Sequence, residues 1–154
     1  MSRFVNDRIL GLGLALACTC ALVSPAFAEE KIDCDFTEIN ATKADAPSLD
    51  ADLAKFKKKL ANPPFSSWNV FKLAHKESKA LTVKKDETIT LALGKLTVTY
   101  VEPVGKSKMR VLFTLDVGGK TVVTNKLLIS AGDAVVLGHP VDGGGGHLIA
   151  TVCK

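Results

Sequence analysis

The sequence predicts a mainly β, α+β protein: an antiparallel sandwich or partial barrel of about seven to nine short strands, with one helix over 48–61 packed on it. Three observations predict it. From Ser67 onward, apolar and polar residues alternate with period two in short runs. Turn residues separate those runs: Gly94, Pro103-Val104-Gly105, Gly118-Gly119, Gly132-Asp133 and the glycines from Gly143 to Gly146. One stretch alone, Leu49, Leu53, Phe56 and Leu60, has the four-three-four spacing of a helix face.

In chain order, Met1 to Ala28 reads as a secretory signal peptide. Arg3 and Arg8 precede the apolar run from Ile9 to Val23, and Ala26-Phe27-Ala28 stands before Glu29-Glu30 as a cleavage site. The run is too short for a stable membrane span, and Ala15 stands where a lipoprotein signal ending at Cys18 would carry a large apolar residue. Residues 29–154 are then one exported domain, with no apolar run left that spans a bilayer. Of the chain's 4 cysteines, Cys18 and Cys20 leave with the signal. Cys34 and Cys153 remain near the two ends and are expected to form a disulfide in an oxidising compartment.

Ile32, Cys34 and Phe36 alternate with Asp33, Asp35 and Thr37, which predicts a half-buried first strand with Cys34 facing in. Ser48 is placed to cap the helix, with Asp50 and Asp52 in its first turn, and Pro63-Pro64 ends it. Trp68 to Leu73 and Ala80 to Val83 read as separate strands. Ile89, Leu91 and Leu93 share one face of the next, Leu96, Val98 and Tyr100 one face of another, and Met109, Val111, Phe113, Leu115 and Val117 a third. Val122 to Ile129, Ala134 to Leu137 and Leu148 to Val152 complete the set. Cys153 is in phase with Ile149 and Thr151, so the first and last strands should be neighbours with both cysteines inward.

The hairpin at Gly118-Gly119 has two competing registers. A plain two-residue turn sets Val111 opposite Lys126. A longer loop or a bulge sets Val111 opposite Leu127, Leu115 opposite Val123 and Met109 opposite Ile129, which keeps the apolar faces together. The second is preferred, although the usual three-residue loop would put Lys120 in a left-handed conformation.

Candidate chemistry is sparse. His139, Asp142 and His147, separated by a four-glycine run, are zinc-compatible residue types, but the spacing matches no zinc motif and a third strong ligand is missing unless His75 joins. The reading adopted is a loop before the last strand, with no metal and no cofactor. Gly119-Lys120-Thr121 lacks the upstream glycine and following helix of a phosphate-binding loop. Lys55, Lys57, Lys58 and Lys59 are candidates for contact with an anionic envelope polymer or lipid headgroups, against the commoner solvated helix face, and Trp68, with Phe65 and Phe71, for a carbohydrate-stacking platform, against the commoner place in the core. No catalytic motif is recognised. The formal net charge of +4 is too small to indicate nucleic acid.

The segment Leu60-Ala61-Asn62-Pro63-Pro64-Phe65-Ser66-Ser67-Trp68-Asn69-Val70-Phe71-Lys72-Leu73 resembles one found in small secreted proteins of gliding soil bacteria. In those proteins a helix, then P-P-F-S-S-aromatic-x-x-F-K-L, then alternating strands run to the end. The resemblance implies an envelope or extracellular location and no particular activity.

The expected function is that of an exported, non-enzymatic β-rich binding or structural module of the bacterial envelope or secretome. Its partner would be an envelope protein or an anionic envelope polymer, met through a strand edge or loops. The alternatives are a small secreted hydrolase or metal-binding protein using the 139–147 loop, and a secreted enzyme inhibitor inserting that loop into its target.

Overall fold

The computed structural model describes residues 29–154, so the predicted signal peptide over 1–28 lies outside the described residues. The chain begins in β1 (Lys31–Thr42), touches the sheet again as the two-residue β2 (Ser48–Leu49), and passes through a 3-10 segment (Ala51–Phe56) into the one-turn helix α1 (Lys57–Leu60). A second 3-10 turn, Phe65–Ser67, leads into β3 (Val70–Thr82). Then follow β4 (Asp86–Leu91), β5 (Gly94–Val104), β6 (Lys108–Val117), β7 (Lys120–Ser130), β8 (Ala134–Pro140) and β9 (Gly146–Cys153).

Two sheets result. One has the order β2-β3-β1-β9-β8 and the other is the meander β4-β5-β6-β7. The chain starts in the first sheet, builds the second by successive hairpins, and returns to finish the first. Period-two patterning explains why the sheets face one another. Leu96, Val98 and Tyr100 of β5 meet Val111, Phe113 and Leu115 of β6 on one side of the meander, and pack against Phe36 and Ile149 of the first sheet. Each such side chain contributes about 1.5–3 kcal/mol by leaving water.

The first sheet is buried on its other face as well. Leu53, Phe56 and Leu60 of the helical segment cover Ile39 and Ala41 of β1 and Leu148 and Ala150 of β9. This gives three layers: helical segment, first sheet, second sheet. It also explains why Leu148, Ile149 and Ala150 form an unbroken apolar run, since consecutive residues of β9 face two different cores.

Cys34 and Cys153 stand directly opposite in the antiparallel β1–β9 pair and are joined in a disulfide, with Cα atoms 4.0 Å apart. The first and last strands are therefore neighbours, as the phase of the two cysteines requires.

The helix is shorter than its apolar stripe. Leu53, Phe56 and Leu60 are all buried as that stripe demands, but Ser48 and Leu49 are a strand, and only Lys57–Leu60 is α-helical. The capping groups are used elsewhere. Ser48 donates its N–H to Asn69 O at 2.9 Å, and the Asp50 carboxylate accepts the Leu73 N–H at 2.8 Å, so both hold the segment to β3. Similarly, β3 runs unbroken over 13 residues. Its polar middle disguised it because, beyond Phe71, no strand covers its outer edge; an extra residue, Ala74, sits in a bulge opposite Glu38 and Ile39. Leu93 is not on the buried face of β4: it lies in the β4–β5 turn, 44 % exposed.

The β6–β7 hairpin combines the two registers considered. Gly118 and Gly119, both at positive φ (58° and 77°), make a two-residue turn. Val122 is then skipped: Asp116 pairs with Thr121 and Leu115 with Val123. The bulge restores Val111 opposite Leu127 and Met109 opposite Ile129, and spares Lys120 a left-handed conformation.

Candidate functional site

A half-open cleft of about 400 Å³ lies where the helical segment crosses the β2–β3 edge. Leu49 of β2, Leu60 and Ala61 at the end of α1, Phe71 of β3 and Trp68 form its apolar wall, and Lys57 is among the residues lining it. The local sequence explains the opening. Pro63-Pro64 turns the chain away after one helical turn, and β2 ends after two residues. The sheet edge and the helical layer therefore part before their apolar surfaces are fully closed against each other.

Much of the polar chemistry around the cleft is committed to the scaffold. The Asn69 side chain bonds both ways to the Ala44 backbone, accepting its N–H at 2.9 Å and donating to its carbonyl at 2.7 Å. Asp50 is held by the Leu73 N–H, and Asp52 pairs with Lys76 at 3.6 Å. Among the described residues, no carboxylate pairs with Lys57.

Trp68 is fixed from the far end of the chain. Its indole N–H donates to Gly144 O at 3.0 Å. Its ring lies so close to Gly146 that a Cβ there would come within 2.6 Å of it. Gly143 and Gly144 take positive φ, 88° and 81°, to bring the carbonyl round. The four-glycine run thus serves as the seat of the tryptophan.

The candidate metal residues divide. His139 and His147 are directly opposite on β8 and β9, and His139 Nε2 lies 3.2 Å from His147 Nδ1. Asp142 is exposed in the intervening turn, and His75 lies on β3 beside Glu77 at 3.7 Å. Among the described residues, no three metal-ligating side chains are arranged to hold one metal ion. The partner of the histidines is Glu38 of β1. His147 Nε2 lies 2.7 Å from Glu38 Oε1, and both side chains are wholly buried. The same carboxylate accepts the backbone N–H groups of Ala92 at 2.7 Å and Leu93 at 3.1 Å, from the β4–β5 turn of the other sheet. Burial raises the Glu38 carboxyl pKa, but the bonds from His147, Ala92 and Leu93 outweigh it, and the group is held below its ordinary range.

The row ends on the protein itself: His139 Nδ1 lies 2.9 Å from Pro140 O. The three contacts from Pro140 O to Glu38 are all hydrogen bonds when the two rings carry three protons between them. No hydroxyl or thiol among the described residues bonds to either imidazole in this row. Its evident work is to clamp the two sheets through Glu38.

Of the cationic candidates, Lys55, Lys57, Lys58 and Lys59 are all exposed. Only Lys57 lines the cleft; Lys55 Nζ lies 4.9 Å from the centre of the Phe56 ring, and the Lys58 and Lys59 carbonyls accept bonds from Asn62. Lys57 and Trp68, far apart in expected role, thus share one cavity. Glu38 escaped the sequence reading, yet its signal is there: it continues the inward phase of Ile32, Cys34 and Phe36 as a carboxylate at a core position.

No family model, curated protein or solved structure matches the chain.

Proposed function

We propose that the protein is an exported, non-enzymatic binding module of the bacterial envelope or secretome, and that it binds through the cleft between the helical segment and the β2–β3 edge. The observation that carries this reading is the cleft itself: about 400 Å³, walled by Leu49, Leu60, Phe71 and Trp68, with Lys57 at its margin. Sites for small ligands are concave, mainly apolar and provided with a few polar groups, and fall at roughly 300–1,000 Å³. The resemblance around Pro63-Pro64-Phe65 and the predicted signal peptide favour an envelope or extracellular location, and the Cys34–Cys153 disulfide agrees with an oxidising compartment. Glu38 and His147 are wholly buried and spend their bonds on each other and on the Ala92 and Leu93 backbones, so they serve the scaffold rather than the cleft. Among the described residues no helix is long and apolar enough to cross a membrane.

The test is capture from envelope extract by the oxidised mature protein, residues 29–154, beside an Ala61→Phe variant. Ala61 is exposed, has a helical backbone conformation and lines the cleft, so phenylalanine fills the cavity without entering the core. The expected result is a component retained by the parent at several salt concentrations and lost with the variant. Equal retention by both, or none above background, contradicts the proposal.

A further inference from the structure

Resting on the cleft as the binding site, we infer that its ligand is a single-chain amphiphile bearing one carboxylate, of the medium-chain fatty-acid type, with its alkyl chain against Trp68 and its head at Lys57. Three features select this chemistry.

The wall is mainly hydrocarbon and aromatic, with Ser48, Ser66 and Asn69 also lining it, and the cavity holds a chain rather than a folded surface. Asp50 is engaged by the Leu73 N–H and Asp52 by Lys76, while Lys57 has no carboxylate partner among the described residues. Lys58 and Lys59 follow it in the chain, so the potential at this margin favours an anion.

At the cleft itself, β2 offers little to an extended peptide. Ser48 and Asp50 give their N–H groups to the carbonyls of Asn69 and Phe71, at 2.9 and 3.1 Å. By strand alternation, Leu49 alone turns its N–H and C=O away from β3. A peptide strand added on β2 would gain one residue's worth of main-chain pairing, whereas an alkyl chain needs none.

Trp68 is the chain's only tryptophan and lines the cleft, so its emission reports occupancy directly. The mature protein is titrated with decanoate, decan-1-ol and decyltrimethylammonium, each below its micelle concentration. Decanoate is expected to shift the emission saturably and to bind more tightly than the other two. Lys57→Met keeps an apolar stem and removes the charge. It should weaken decanoate about two- to fivefold, the range of an exposed ion pair, and leave decan-1-ol unchanged. Ala61→Phe should abolish both responses.

Equal affinity for all three probes, with no effect of Lys57→Met, overturns the anionic head. No saturable response to any probe overturns the amphiphile altogether. If envelope capture still depends on an open cleft in that case, the binding-module reading stands and only the ligand class falls. If capture is also insensitive to Ala61→Phe, both fall.

Discussion

Glu38 concentrates the electrostatics of this protein in one side chain. It is buried to 1 % exposure in β1, yet it accepts bonds from His147 and from two backbone N–H groups of the opposite sheet. Those donors favour the carboxylate more than burial opposes it, so its folded-state pKa lies below the ordinary value of 4.5. A depressed carboxyl contributes stability that is present above the unfolded pKa and is lost as pH falls through the folded one. Melting of the parent should therefore hold steady down to about pH 4.5 with respect to this group, then fall. Glu38→Gln should cost about 1.5–3 kcal/mol near neutral pH, the scale of hydrogen bonds to a charged group. Its deficit should narrow on acidification. Thermal denaturation of both proteins between pH 7 and 3 measures this; a deficit that stays constant across that range contradicts the linkage. The alternation of β1 marks the residue as an inward carboxylate, although the sequence reading passed over it. Its partners were not legible, because Ala92 and Leu93 are 54 and 55 positions away and donate through their backbones, on which sequence is silent.

At the scale of elements, side-chain alternation is a strong guide and edges are where it weakens. Strands β4 to β6 of the meander were readable because one face is buried along each, and β7 because its phase continues theirs although Ile129 alone is buried in it. β3 was not readable as one strand, since its outer edge is uncovered beyond Phe71 and polar residues are tolerated there. The helix was overlong because Ser48 and Asp50 suit a helix start and a sheet edge equally, and β3 recruits them. The β6–β7 bulge shows how register is chosen: the apolar face fixes Leu115 opposite Val123, the two glycines fix the turn, and Val122 absorbs the difference. Deleting Val122 should remove the bulge and keep every other pair, at a cost within about 1 kcal/mol. Inserting an alanine between Thr124 and Asn125 leaves no surplus residue to give up, and should slip the buried face beyond Thr114 or force a second bulge, at the greater cost. Urea denaturation of the deletion and the insertion variants distinguishes them, and equal loss in both would show that the bulge is not where the difference is taken up.

Across the whole molecule, the disulfide and the two cores have distinct duties. Cys34 and Cys153 close a loop with a sequence separation of 119, joining the strands that begin and end the described fold. In the chain-entropy picture such a crosslink stabilises by roughly 4–5 kcal/mol. Urea denaturation should show a loss on that scale in Cys34→Ala/Cys153→Ala; a change under about 1 kcal/mol would mean that the strand pair holds without it. The joining of the ends was legible, because phase and compartment point the same way. The cleft was not: Lys57 and Trp68 were visible separately, but their meeting depends on how soon α1 ends and on Gly144 and Gly146 seating the indole from the other end of the chain.

Binding in that cleft is read out residue by residue by amide chemical-shift mapping of the uniformly labelled mature protein. On titration with decanoate, the largest shifts should fall on the indole N–H of Trp68 and the amides of Leu49, Lys57 and Ala61, all within the cleft lining. Shifts centred instead on the exposed edge strand β7, around Val122 and Leu128, or on the 139–147 turn without Trp68, would contradict the account.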